Sequence, residues 1–324
     1  MKFRNKAIAL NLKKTIPKQI IATSSILLAL VVLVGIINPL FIRWDNLNGI
    51  LQQIAPMGIV ALGAMFVIIT GGIDLSAGSG ISFAGVLAGV MYFKTSENLF
   101  VLIIVSIIAG AALGALNGLI ITKFKLQPFI VTLATMAIAQ GLTLLVSEGK
   151  IAFLNHPGTL VIGSGQLFGV ISVPFLIFIC MCLITWVLLN HTRMGIYTFA
   201  LGGNEEAARF SGIGINKYRF FVYFYAGICT GVGALITICR IGQIAPGMAG
   251  TILLDAIAAT VIGGTSVQGG RGTVFGTMLG VLIIGVVYNS LTFLNIPVVG
   301  QEAIKGIVIL IALVIDSFFN KAKR

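Results

Sequence analysis

Apolar runs of about helix-spanning length, separated by short polar breaks, follow one another along the chain. Ten can be drawn, at 20–41, 51–70, 78–93, 99–121, 127–146, 169–190, 218–239, 251–263, 274–292 and 298–318. A helix that crosses a bilayer needs roughly 20 apolar residues. The pattern therefore predicts an all-α integral membrane protein of about ten transmembrane helices. Runs three and eight are short and read as the weakest spans, or as half-helices. The polytopic domain then covers 20–318, between a basic segment at 1–19 and a basic tail at 319–324.

Between the sixth and seventh runs the pattern changes. The stretch LGGNEEAARFSGIGIN (201–216) places Glu205, Glu206 and Arg209 in a chain that is otherwise oily. Asn204 suits an N-cap, because its side chain can accept from a free backbone N–H. Glu205 and Glu206 then fall in a first turn, where the helix dipole favours negative charge. Glu205 and Arg209 stand four apart in the favoured order for an ion pair, and Gly212 can end the helix. The result is a predicted helix of about two turns, 205–211. So short a helix is marginal alone, because nucleation is costly, and it needs something to pack against. Its apolar side and its charges suit docking in a partner's groove. The other reading, a helix lying on lipid headgroups, sits poorly with two adjacent glutamates.

Composition fits a membrane chain. The 324 residues are 58% hydrophobic and 9% charged, with a mean hydropathy of +1.08. A soluble domain carries about 25% charged residues, so that class is excluded. The net charge of +12 would suggest nucleic acid in a soluble chain. Here the basic residues gather at the ends of apolar runs, which is a topology signal. With the first residues inside, sixteen of the 21 Lys and Arg residues fall on inside segments. They are Lys2, Arg4, Lys6, Lys13, Lys14 and Lys18, then Lys123 and Lys125, then Arg193, Arg209, Lys217 and Arg219, then Arg271, Lys321, Lys323 and Arg324. Both termini and the 191–219 loop are then expected in the cytoplasm. Run 20–41 exceeds the 7–15 residues of a signal-peptide core, so it reads as a first membrane anchor.

Forty glycines point to close helix packing or broken helices in a bilayer. Gly110, Gly114 and Gly118 recur every four residues, as do Gly85 and Gly89. This small-residue spacing predicts helix seams. A faint internal echo aligns GGIDLSAGSGISF (71–83) with GGTSVQGGRGTVF (263–275). Duplicated membrane units often place substrate at their interface.

Catalytic and metal chemistry find no foothold in the sequence. Cys180, Cys182, Cys229 and Cys239 form no CxxC pair and read as small hydrophobes. His156 and His191 lie near run ends without a carboxylate at metal-motif spacing. An enzyme is not expected, and neither is a metal or a bound cofactor. The chain also lacks G-x-x-x-x-G-K-[ST], so it has no phosphate loop of its own. Two acids lie near or inside the apolar runs, Asp74 and Asp255. Carboxylates there cost roughly 2.5–3.5 kcal/mol on insertion scales, which makes them candidates for a substrate path. Helix caps or dipole partners would explain them equally. Gln52, Gln53, Asn117 and Gln140 are neutral polar residues that could bind sugar hydroxyls or join helices to one another.

Several motifs carry a resemblance. GGNEEAARFSGIGINKYR (202–219) resembles the cytoplasmic coupling loop of sugar-type ATP-binding-cassette importer permeases. ITGGIDLSAGS (69–79) and LDAIAATVIGGTSVQGGRGTVFGTMLG (254–280) resemble two further hallmarks of that family, and NLNGILQQIAPMGIVALG (46–63) extends the match. The resemblance is greatest to the ribose branch and covers nearly the whole chain. It implies a type II importer permease fold that works as a dimer, with itself or with a sister permease. It implies partner ATPase subunits that bind ATP and magnesium, and an extracytoplasmic sugar-binding protein. The docking set it implies is Gly203, Asn204, Glu205, Glu206, Ala207, Ala208, Arg209, Ser211 and Gly212. The expected function is ATP-driven import of a monosaccharide, ribose first, across the bacterial inner membrane. Other cargo within the class would be autoinducer-2, another pentose or hexose, a nucleoside or a branched-chain amino acid. An ion-coupled secondary transporter is the alternative of a different class, and it would have to rely on Asp74 and Asp255.

Overall fold

The computed structural model describes residues 18–294 together with 296, 297, 300, 301, 303, 304, 306, 307 and 310. The basic segment 1–19 lies largely outside the described residues, as does much of the tenth predicted span; the tail 319–324 lies wholly outside them. The described chain is helical: α1 (Lys18–Ile37), α2 (Trp44–Ile69), α3 (Ser76–Lys94), α4 (Leu99–Phe124), α5 (Pro128–Ser147), α6 (Pro157–Ser164), α7 (Val173–His191), α8 (Arg193–Gly203), α9 (Glu205–Phe210), α10 (Ile215–Ile241), α11 (Ile252–Ile262) and α12 (Val274–Phe293). Eight of these are long and apolar enough to cross a membrane.

Local chemistry sets the ends. The Asn98 side chain accepts from Phe100 N at the start of α4, and Thr273 accepts from Gly276 N at the start of α12. Pro128 and Pro157 open α5 and α6, where a missing N–H costs nothing. Gly242 ends α10 with φ +71°, a conformation that favours glycine.

Span three departs from expectation. It is a full helix of 19 residues, Ser76–Lys94. Its glycines and serines depress hydropathy, but they pack against neighbouring elements and shorten nothing. Span eight is short as expected, since α11 has 11 residues. At 1.5 Å per residue it covers about half of a 30 Å core. The other half is covered by the irregular segment that precedes it. Ile244 packs on Gly89, Met248 on Gly85 and Leu253 on Gly78, so residues 244–253 run alongside α3. Non-helical backbone at this depth is tolerated where protein covers it.

Helices α2 and α10 are central, with 83% of the most apolar window of each buried, against 6% for α1. The most extensive helix pair among the described residues is α4 with α10. A Cβ on Gly110 would lie 2.5 Å from Gly227 O, one on Gly114 would meet the Tyr223 carbonyl, and one on Gly118 would lie 3.0 Å from Phe220 O. The glycine stripe is thus a packing seam against Gly227 and Gly231.

On one side of the bundle, β1 (Ala152–Phe153) pairs with β4 (Gln243–Ile244), and β2 (Gln166–Leu167) pairs with β3 (Ile171–Ser172) in a small hairpin. On the opposite side the loops 70–75, 192–214 and 263–273 meet. The two halves of the internal echo both sit there, each leading into a long helix, α3 or α12.

Candidate functional site

The charged island folds as two helices. The first, α8, was not foreseen; the Thr192 side chain caps it by accepting from Met194 N. The second, α9, matches the expected two-turn helix to within a residue. Asn204 Oδ1 accepts from Ala207 N at 2.9 Å, and Gly212 follows with φ +76°. Glu205 pairs with Arg209 at 3.4 Å, as its spacing predicts, and with Arg219 of α10 at 2.6 Å. The second contact was not anticipated, and it ties α9 to the N-terminal end of α10. Ala208 is buried, while Phe210 is 90% exposed. The helix therefore has a face against the protein and a face without a covering.

Behind the island, three glycine loops that are distant in sequence come together. A Cβ on Gly202 would collide with the Ile69 carbonyl and lie 2.6 Å from Gly270 N. Gly270 N donates to Ile69 O at 2.9 Å. Gly269 and Gly270 hold φ of +87° and +72°, which favours glycine. The three quoted motifs thus converge on one junction.

Above the junction lies a cavity of about 460 Å³. Ser79 and Ser82 of α3, Gln140 and Thr143 of α5, Pro246 of the irregular segment and Leu253 of α11 are among its walls. Ligand pockets commonly span about 300–1,000 Å³, so a small polar solute fits. Hydroxyl and amide side chains on an otherwise apolar wall can exchange hydrogen bonds with a sugar.

Of the six predicted path residues, only Gln140 lines this cavity. Asp74 sits just beneath it, beside the lining residue Leu75. Asp74 Oδ1 accepts from Ser76 N at 2.8 Å and from Ser76 Oγ at 2.6 Å. Ser76 Oγ accepts from Asn117 Nδ2 at 2.7 Å, and Asn117 Oδ1 accepts from Thr135 Oγ1 at 2.7 Å. Asp74 and Asn117 are therefore members of one polar chain that joins α3, α4 and α5. Burial pushes the Asp74 carboxyl above the usual carboxylate range, against the Ser76 hydrogen bonds, which lower it. Asp255 bridges α11 and α12, accepting from Thr251 Oγ1 at 3.0 Å and from the Tyr288 hydroxyl. Gln52 donates to Gly163 O at 2.9 Å on the far side of the bundle, and Gln53 is exposed. The serines, Thr143 and the 246–254 wall were missed, because small residues in a glycine-rich run look like packing.

Among the described residues no group of three His, Cys, Asp or Glu side chains could hold a metal ion. Four of the five buried hydroxyls that lack a hydrogen-bond partner belong to the junction or its border: Tyr223, Thr265, Ser266 and Thr277.

Comparison with known proteins gives concordant matches. Residues 46–313 match a family model described as branched-chain amino acid transport system / permease component. The chain is 42% identical over 292 residues to the ribose import permease protein of Bacillus subtilis, covering 90% of each chain. It is 38% identical over 301 residues to the ribose import permease protein of Haemophilus influenzae, covering 92% of this chain and 93% of that one. The D-allose transport system permease protein of Escherichia coli K12 is 32% identical, with 92% of each chain covered. A solved metal-chelate type ABC transporter in an inward-facing conformation shares the fold, with a TM-score of 0.56, 17% identity and coverage of 93% and 99%.

Proposed function

This chain belongs to the branched-chain amino acid transport system / permease component family, and from that premise we propose that it is the membrane subunit of an ATP-driven ribose importer. The observation that carries this reading is the convergence of the charged island and both glycine loops, through Gly202, Ile69 and Gly270, next to Leu75 on the wall of a cavity that also presents Ser79, Ser82, Gln140 and Thr143. A force applied to α9 has a short route to the path. The ribose import permeases at 38% and 42% identity support ribose as cargo, and the allose permease at 32% supports a monosaccharide more broadly.

The exposed surface formed by Gly203, Asn204, Glu206, Ala207, Arg209, Ser211 and Gly212 docks the ATPase, while the expected docking residue Ala208 is buried against the protein and Glu205 holds α9 to α10. That partner holds ATP and magnesium, and this chain needs no cofactor of its own. An extracytoplasmic binding protein delivers sugar to the opposite side, and a second permease copy or a sister permease completes the dimer. The basic residues Lys123, Arg193, Arg209, Lys217 and Arg271 favour the α9 side as cytoplasmic, in the inner membrane of a bacterium. Gln140 is the first candidate for sugar contact. Asp74, Asn117 and Asp255 support the helices around the path, while Gln52 and Gln53 lie away from it.

The test is uptake of labelled ribose, with other sugars as competitors, in cells with and without the chain. One set is depleted of ATP with the proton gradient kept; the other loses the gradient with ATP kept. The reading expects uptake to stop only without ATP. Loss with the gradient alone would replace it by ion-coupled transport.

A further inference from the structure

Tyr223 has no role in the account so far. It lies on α10, one helical turn beyond Arg219, on the face turned to the junction. Its side chain is fully buried, and its hydroxyl has no hydrogen-bond partner. A buried hydroxyl without a partner costs free energy, so its position needs an explanation. A Cβ on Gly72 would lie 2.5 Å from this oxygen. Glycine at 72 thus opens the space the hydroxyl occupies. Asp74 stands two residues beyond Gly72 in the same loop, and Arg219 stands one turn before Tyr223 on α10.

Each end of this arrangement is connected. Arg219 holds Glu205 of α9 at 2.6 Å. Asp74 begins the chain through Ser76, Asn117 and Thr135 to α5, which carries Gln140 on the cavity wall. Both Ser76 bonds to Asp74 end on Oδ1, so the carboxylate can take a third donor on Oδ2 without releasing Ser76. Between these two connected ends lies the step from Tyr223 to Asp74.

We propose that Tyr223 is the positioning residue that carries movement of α9 to the cavity floor, its hydroxyl donating to the Asp74 carboxylate as the transporter changes state. In the present conformation the hydroxyl waits unpaired over Gly72. A shift of α10 together with α4 as one body, drawn through the Glu205–Arg219 pair, brings it onto Asp74 and moves α3 and α5 together. This inference rests on the permease reading above.

The experiment uses the whole transporter, this chain with its ATPase and binding-protein partners, in liposomes. Labelled ribose uptake and ATP hydrolysis are read from the same vesicles. Tyr223→Phe keeps the ring and removes only the unpaired hydroxyl, so its melting temperature stays at or above that of the wild type. The ribose moved per ATP falls several-fold. Asp74→Ala gives the same loss, Asp74→Asn loses less because it keeps an acceptor oxygen, and the double variant Y223F/D74A is no worse than D74A. Non-additivity of this kind marks two residues acting through one contact. A wild-type transport ratio in Tyr223→Phe, or losses that multiply in the double variant, overturns the proposal alone. A wild-type chain that shows neither ribose uptake nor binding-protein-stimulated ATP hydrolysis overturns the permease reading, and the proposal with it.

Discussion

Glycine does opposite work in two parts of this molecule. Along the α4–α10 seam, Gly110, Gly114, Gly227 and Gly231 bring two helical backbones together, each in ordinary helical conformation. At the junction, Gly71, Gly269 and Gly270 take positive φ, and Gly270 N donates to the Ile69 carbonyl at the end of α2. The seam holds regular backbone with its hydrogen bonds internal to each helix. The junction gathers most of the buried unpartnered hydroxyls found among the described residues. Close packing makes the seam a rigid body. Mismatched polar groups and irregular backbone make the junction the place where a second arrangement is least costly. The same residue type builds both the lever and its joint.

The comparison can be broken most severely in the seam. Gly114→Val would drive a branched side chain into the Tyr223 carbonyl and Gly227, and overpacking of that kind costs about 1–3 kcal/mol or more. Loss of folded protein on extraction, read by size-exclusion yield and melting temperature, is expected. At the junction, Thr265→Val removes a buried hydroxyl that has no hydrogen-bond partner and keeps the branched shape of the side chain. It should leave a protein that inserts and melts nearly as the wild type, yet transports ribose at least tenfold more slowly, the rate change that about 1.4 kcal/mol produces. Uptake that tracks melting temperature in both variants would erase the distinction. Glu206→Lys reverses charge on the uncovered face of α9 and should uncouple uptake from ATP hydrolysis without changing melting; normal uptake would count against docking there. The smallest effect belongs to a glycine outside both regions. Nothing lies within 4 Å of a Cβ placed on Gly49 in α2, so Gly49→Ala should stabilise by up to about 1 kcal/mol and leave uptake unchanged.

Much of the fold could be read from apolar run length, because a bilayer imposes that length. The failures have physical causes. Span three looked short because Gly78, Ser79, Gly80 and Ser82 lower its hydropathy, although they are where other elements and the cavity meet α3. The α8 helix was missed because RMGIYTFALGG carries little charge and no apolar period long enough to register. The α9 helix was legible because cap, dipole and ion-pair chemistry are local, and Asn204, Glu205 and Arg209 supply all three. The Glu205–Arg219 pair needed the fold, since it spans a turn that no local rule describes. Among the path candidates, polarity alone could not separate Gln140, which faces the cavity, from Gln52, which bonds the backbone at Gly163. An acid inside an apolar run did not point to this cavity, since Asp255 instead joins α11 and α12 through Thr251 and Tyr288.

The central claim is that ATP-driven movement enters at α9 and is absorbed at the junction while the seam stays fixed. Two spin-label distances in the assembled transporter test it, sharing one label at Phe221 of α10, which is exposed. One partner label sits at Leu116 on α4, across the seam; the other sits at Val267, in the loop 263–273. Both positions are exposed. On trapping the ATP-bound state, the account predicts that the Phe221–Val267 distance changes by several ångströms while Phe221–Leu116 does not. A seam distance that changes as much as the junction distance, or a junction distance that stays constant, would contradict it.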